Sequence, residues 1–137
     1  MYSTHKKGQI AVCEVQRRAL DHDAIVSIPT TEERYDLIID HEGKLYKAQV
    51  KYTDHQSLKS SGSTMIDLRS KCRNNNYIKK YQKDEIDVIL AYIKPIDKVV
   101  WIFSDLFHDK GSLTIRYVES KSNRSKKIHM LEDFKVW

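Results

Sequence analysis

Asp36, Gln49 and Lys51 place a carboxylate, a side-chain carbonyl and an ammonium group within one short stretch of this 137-residue chain. Asp36 can offer a hard oxygen to Mg²⁺, an ion that keeps several waters and needs only one or two protein oxygens. The Gln49 carbonyl can offer a second, without charge and so with weaker attraction for the ion. Lys51 can hold an attacking water or stabilise charge that builds on phosphorane oxygens. Brought together, the three form a competent set for phosphodiester hydrolysis. Each also has an ordinary reading: an Asp at a strand start often serves a turn, and Gln or Lys often face water from a half-solvated sheet.

The elements that must bring them together are two extended apolar runs, residues 35–40 and 45–51, on either side of His41-Glu42-Gly43-Lys44. Such a pattern predicts a β-hairpin. Whether Glu42-Gly43 is a two-residue turn or the loop is longer, the register is the same, with His41 facing Lys44 and Asp40 facing Leu45. Continued without a bulge, it sets Asp36 opposite Gln49, with Cβ atoms ~5 Å apart. Lys51 lies two residues beyond Gln49 and shares its face, while Ala48 and Val50 point the other way.

Around the hairpin, residues 1–7 read as a flexible tail. Residues 8–22 carry Ile10, Ala11, Val15, Ala19 and Leu20 at helical spacing. Residues 24–28 predict a short strand. Residues 54–63 read as a Ser-rich loop, and 64–68 as a third partner for the hairpin. Residues 86–93 form a continuous apolar, β-branched run that predicts a buried strand, and 98–103 another. Residues 104–108 suit one helical turn with Ser104 as N-cap, 112–118 a strand, and 128–137 a short amphipathic end with one helical turn. The order predicts an α+β (mixed α/β) domain around a central sheet, spanning residues 1–137 as one unit. No Gly-rich phosphate loop occurs, which disfavours dinucleotide and P-loop folds.

Composition narrows the function further. The net charge is +5, and basic residues cluster: Arg69, Lys71, Arg73, Lys79, Lys80 and Lys83 in one segment, Lys121, Arg124, Lys126 and Lys127 in another. Mixed with Asn, Ser and Tyr, such patches suit contact with a phosphate backbone, although solvated loops have the same composition. The six histidines are scattered and Cys13 and Cys72 stand far apart, in no zinc-like spacing. Two isolated thiols suit a reducing, cytoplasmic setting. No apolar run is long enough to cross a membrane.

Lys6-Lys7-Gly8, Arg34 to Asp40, Gln49-Val50-Lys51, Asp84 to Asp87, Asp97-Lys98-Val99 and Thr114-Ile115-Arg116 occur in that order. Together they resemble the PD-(D/E)XK nuclease superfamily. Within it, they resemble the bacterial group I intron-encoded homing endonucleases, which carry QxK in place of (D/E)xK. The resemblance covers nearly the whole chain; the short D…QxK motif alone is unspecific. It implies a restriction-endonuclease-like core with an N-terminal helix and a central mixed sheet, and Mg²⁺-dependent cleavage of double-stranded DNA by a homodimer or homotetramer. Asp36 matches the metal-binding acid, Gln49 the altered metal ligand and Lys51 the catalytic lysine. The family's further Glu on the first helix falls at Val12. Glu14 is the nearest additional acid, but two residues on it is rotated ~200° about a helix; Gln9 and Gln16 lie nearer the face of Val12. Residues 54–83 read as a loop-rich, DNA-contacting insertion, with Lys59, Arg69, Arg73, Lys79 and Lys80 as DNA contacts. Alternative readings are a Holliday-junction-resolvase-like nuclease, a DNA-binding module without catalysis, and a small interaction protein.

Overall fold

A computed structural model describes residues 2–54, 62–71, 77–118 and 129–137. Its first element, α1 (Thr4–Asp21), starts earlier than the apolar spacing predicts. Residues 4–7 lack that spacing, but Ser3 caps the helix by accepting from the Lys6 amide at 3.3 Å, so the tail predicted for residues 1–7 is largely helical. The helix closes with Asp23 in a left-handed conformation (φ 54°) and Ala24 N–H donating to the Ala19 carbonyl at 2.8 Å, which satisfies an orphan carbonyl of the last turn.

The strands follow as β1 (Ile25–Ser27), β2 (Leu37–His41), β3 (Lys44–Thr53), β4 (Ser63–Asp67), β5 (Arg69–Lys71), β6 (Ile78–Lys80), β7 (Val88–Ile93), β8 (Lys98–Phe103), β9 (Ser112–Arg116), β10 (His129–Met130) and β11 (Lys135–Val136), with α2 (Ser104–Phe107) after β8. Among the described residues, a six-stranded sheet runs β1-β2-β3-β7-β8-β11. It is mixed, because β3 pairs antiparallel with β2 and parallel with β7. A second sheet runs β10-β9-β4, and β5 and β6 form a separate two-stranded ribbon. The segment predicted as a third hairpin partner therefore belongs elsewhere: β4 pairs with β9, from Ser63↔Arg116 to Asp67↔Ser112. Ser104 begins α2 rather than capping it; the cap position is Phe103, without a side-chain bond.

The main sheet separates two apolar clusters. On one side Ala11, Val15 and Ala19, spaced four apart, let α1 sit closely on Leu37, Ile39, Ala48, Val50 and Leu90. Leu20, expected in that core, is turned outward and exposed. On the other side Ile89, Ala91, Ile93, Val100 and Ile102 pack under the second sheet and α2 through Ile66, Leu113, Ile115 and Phe107. Buried on both faces, β7 reads as an unbroken apolar run, as parallel strands do. The second sheet covers this face over β7 and β8. Gln49 and Lys51, aligned with Ile89 and Ala91 on β7, share that face.

Candidate active site

The hairpin that positions the site forms as its residue pattern predicts. The β2–β3 ladder runs from His41↔Lys44 to Leu37↔Ala48 in the expected register. Glu42 (φ 52°) and Gly43 (φ 78°) make the turn, both left-handed, the backbone form that matches strand twist in a two-residue hairpin. At the open end the register yields. Asp36 lies just outside β2, and its amide donates to the Ala48 carbonyl (2.9 Å), so the direct Asp36–Gln49 pairing predicted for an unbulged hairpin is not kept. Its carboxylate instead folds back onto β3, where Oδ2 accepts from the Val50 amide at 2.9 Å. Asp36 and Gln49 nevertheless line one cleft of about 560 Å³, walled also by Glu32, Glu33, Arg34, Ser70 and Tyr81.

Lys51 approaches the same centre from further along β3. Its Nζ donates to the backbone carbonyl of Arg69 at 2.6 Å and lies 5.3 Å from the Tyr81 ring centre. Burial lowers its pKa below the usual lysine value; Asp67 and Asp36 counter that, while Arg34 and Arg69 reinforce it. Asp36 is open to solvent along the cleft, yet its carboxyl is enclosed by its neighbours. That burial raises its pKa, and the Val50 amide and the Lys51 ammonium pull it partly back. Each group thus feels the other's charge across the site.

The other acid predicted for the site is elsewhere. Glu14 accepts from Arg18 and from Arg17 (3.4 Å) on α1, and Arg18 in turn donates to both the carbonyl and the carboxylate of Asp97 at 2.8 Å. Those residues lock α1 to the turn between β7 and β8, across the sheet from the cleft. Val12 packs against the α1-side core, and neither Gln9 nor Gln16 lines the cleft. Helix α1 therefore adds no side chain to the cleft lining. The predicted DNA contacts divide. Lys59 and Arg73 lie outside the described residues. Arg69 and Lys80 are exposed and directly opposed on the β5–β6 ribbon. Lys79 pairs instead with Ser70, and its ammonium meets Glu85 at 3.2 Å, so it is engaged within the protein.

Sequence reasoning assigned no role to Arg34 or Tyr81. Arg34 stands two residues before Asp36, a spacing that hints at a shared face. Tyr81 comes from a segment with no period, and nothing in its surroundings signals that it is buried under the site.

The sequence model of the PD-(D/E)XK endonuclease family matches residues 2–137. The chain belongs to that family. It is a nuclease, a hydrolase of phosphodiester bonds, on a restriction-endonuclease-like α+β fold. Among solved structures it is similar to "a bacterial homing endonuclease: I-Ssp6803I", at 31% identity and a TM-score of 0.71, over 92% of this chain and 85% of that one. MepB aligns over 93% of this chain and 87% of its own, at 14% identity and a TM-score of 0.39, too low to carry any argument. No curated protein matches the chain.

Nucleases of this family generally use divalent metal ions. Among the described residues no group of three or more Asp, Glu, His or Cys is placed to hold one. The donors present fit a hard cation in a lean form. Asp36 Oδ1 and the Gln49 amide make no hydrogen bond to a described residue, which leaves one charged and one neutral oxygen for the cleft. Among the described residues no helix is long and apolar enough to cross a membrane.

Proposed function

We propose that this nuclease is a site-specific DNA endonuclease of the homing type, cutting double-stranded DNA with Mg²⁺. The observation that carries the reading is the placement of Asp36 and Gln49 in one cleft, with Lys51 beside it on the same strand and under the basic ribbon. The likeness to a bacterial homing endonuclease supports it. Asp36 and Gln49 would hold the ion, which when bound supplies Lewis-acid polarisation of a phosphate oxygen. The Val50 amide keeps the Asp36 carboxylate aimed from β3. Lys51 carries an ammonium seated on the Arg69 carbonyl, from which it can stabilise the charge developing on a phosphate oxygen. Lys80 stands opposed to Arg69, whose guanidinium meets Asp67 at 3.1 Å, so Lys80 is the ribbon cation that most readily takes a phosphate. A two-stranded ribbon also fits the major groove. One such site cuts one strand, so a homodimer or homotetramer would cut both.

Purified protein is incubated with plasmid libraries, linear duplexes and four-way junctions, in Mg²⁺ and in EDTA. Discrete Mg²⁺-dependent cuts in few duplexes support the homing reading. Cleavage of junctions alone would replace it with a resolvase. Retarded mobility without cleavage under any metal would leave a binding module.

A further inference from the structure

Arg34 touches more of the site's surroundings than any reading of the hairpin requires. Its Nε donates to Glu85 Oε2 at 2.9 Å, its Nη1 to Ser70 Oγ on β5, and its Nη2 to the Lys80 carbonyl on β6 at 3.3 Å. The guanidinium also lies over the Tyr81 ring, 4.2 Å from its centre. Both strands of the basic ribbon, and the turn that leads into β7, are thus gripped by one side chain that leads into β2. Glu85 is itself fixed by the Gln82 amide at 3.0 Å and by Lys79. The ribbon in turn seats the candidate catalytic amine, since Arg69, the neighbour of Ser70, supplies the carbonyl that receives Lys51 Nζ.

We propose that Arg34 is a positioning residue, holding the β5–β6 ribbon in the place from which the Arg69 carbonyl sets Lys51. The inference rests on the endonuclease reading above and adds to it a link between the DNA-contacting ribbon and the reacting centre. The grip depends on shape as well as charge. A planar guanidinium reaches three acceptors in fixed directions, whereas a lysine ammonium reaches them one at a time. Lysine at this position keeps the cation and loses the grip.

The test compares the full-length wild type with Arg34→Lys, Arg34→Ala and Glu85→Gln. It measures the single-turnover cleavage rate at saturating enzyme, DNA affinity in EDTA, and hydrogen exchange of the ribbon amides. Arg34→Lys is expected to cut about tenfold or more slowly, as small misplacements of a reacting group do. Its DNA affinity should stay within about threefold, because the charge is kept. Exchange at Arg69–Lys71 and Ile78–Lys80 should quicken, while β7 and β8 stay protected, which separates a loosened ribbon from a lost fold. Glu85→Gln, which lies outside the cleft lining, should show a smaller loss of the same kind. Combined with Arg34→Ala it should add less than it costs alone, because the Arg34–Glu85 contact is shared between the two. A Lys variant that cuts at the wild-type rate would overturn the proposal, since charge alone would then suffice. So would a rate loss matched by an equal affinity loss with ribbon exchange unchanged, which would make Arg34 a direct phosphate contact. If the wild type itself cuts no DNA, the endonuclease reading fails separately. The exchange arm then decides the grip alone: faster ribbon exchange supports it and unchanged exchange overturns it.

Discussion

Asp36 and Lys51 sit in one partly enclosed site, and their perturbations run in opposite directions for one reason: burial disfavours whichever form is charged. Lys51 donates to a backbone acceptor, so truncating it breaks no direct side-chain ion pair, although it removes the charge that favours the Asp36 carboxylate. Lys51→Ala should abolish cleavage yet leave DNA affinity within a few-fold; a variant that still cuts at the wild-type rate would remove Lys51 from the mechanism. Gln49 brings a neutral oxygen where the usual family motif brings a carboxylate. Gln49→Glu should therefore lower the Mg²⁺ concentration needed for half-maximal cleavage, read from a metal titration of the rate. An unchanged midpoint would show that Gln49 is not a metal ligand.

At the scale of elements, the hairpin turn and the Glu85 junction make separable contributions. Gly43 has φ 78°, where a Cβ meets no neighbour but the backbone form itself is strained for other residues. Gly43→Ala should cost about 1 kcal/mol in urea unfolding. Glu85 carries a pH dependence. Burial works against its carboxylate, but Lys79, the Gln82 amide and Arg34 together outweigh burial and hold its pKa below 4.5. Folding therefore favours the ionised form. That stabilisation is complete above 4.5 and fades as pH falls through the lower folded value. The wild-type urea midpoint should drop on acidification through that window, and Glu85→Gln should drop less; parallel curves would show that Glu85 carries none of the dependence.

For the whole molecule, the proposed function makes the ribbon and the candidate site parts of one interaction with DNA. Lys80 is exposed and opposed by Arg69, so Lys80→Ala should reduce the slope of log K against log salt by about 1 if it contacts a phosphate. Lys79→Ala should change the slope less, because its ammonium already meets Glu85. An assembly that cuts both strands should sediment as two or four chains on its DNA; a monomeric complex producing double-strand breaks would require a different account.

Much of the site could be read from the chain because hairpin geometry is local. Two extended apolar runs and a Glu-Gly turn determine register, and register determines that Gln49 and Lys51 share a face opposite to Ala48 and Val50. The same locality made β7 and β8 legible as apolar runs. What the chain alone left open depends on contacts between residues far apart in sequence. Glu14 is an acid on the right element, but its partner Arg18, which also donates to Asp97, and the packing of Ala11, Val15 and Ala19 place it across the sheet. Tyr81, Ser70 and Arg34 meet only because the ribbon, which has no clear sequence period, folds back over the hairpin. The sequence thus determined the pair of strands and the residues they present. Only the tertiary structure decided that Glu32, Glu33, a guanidinium and the ribbon, rather than the first helix, line the cleft beside Asp36 and Gln49.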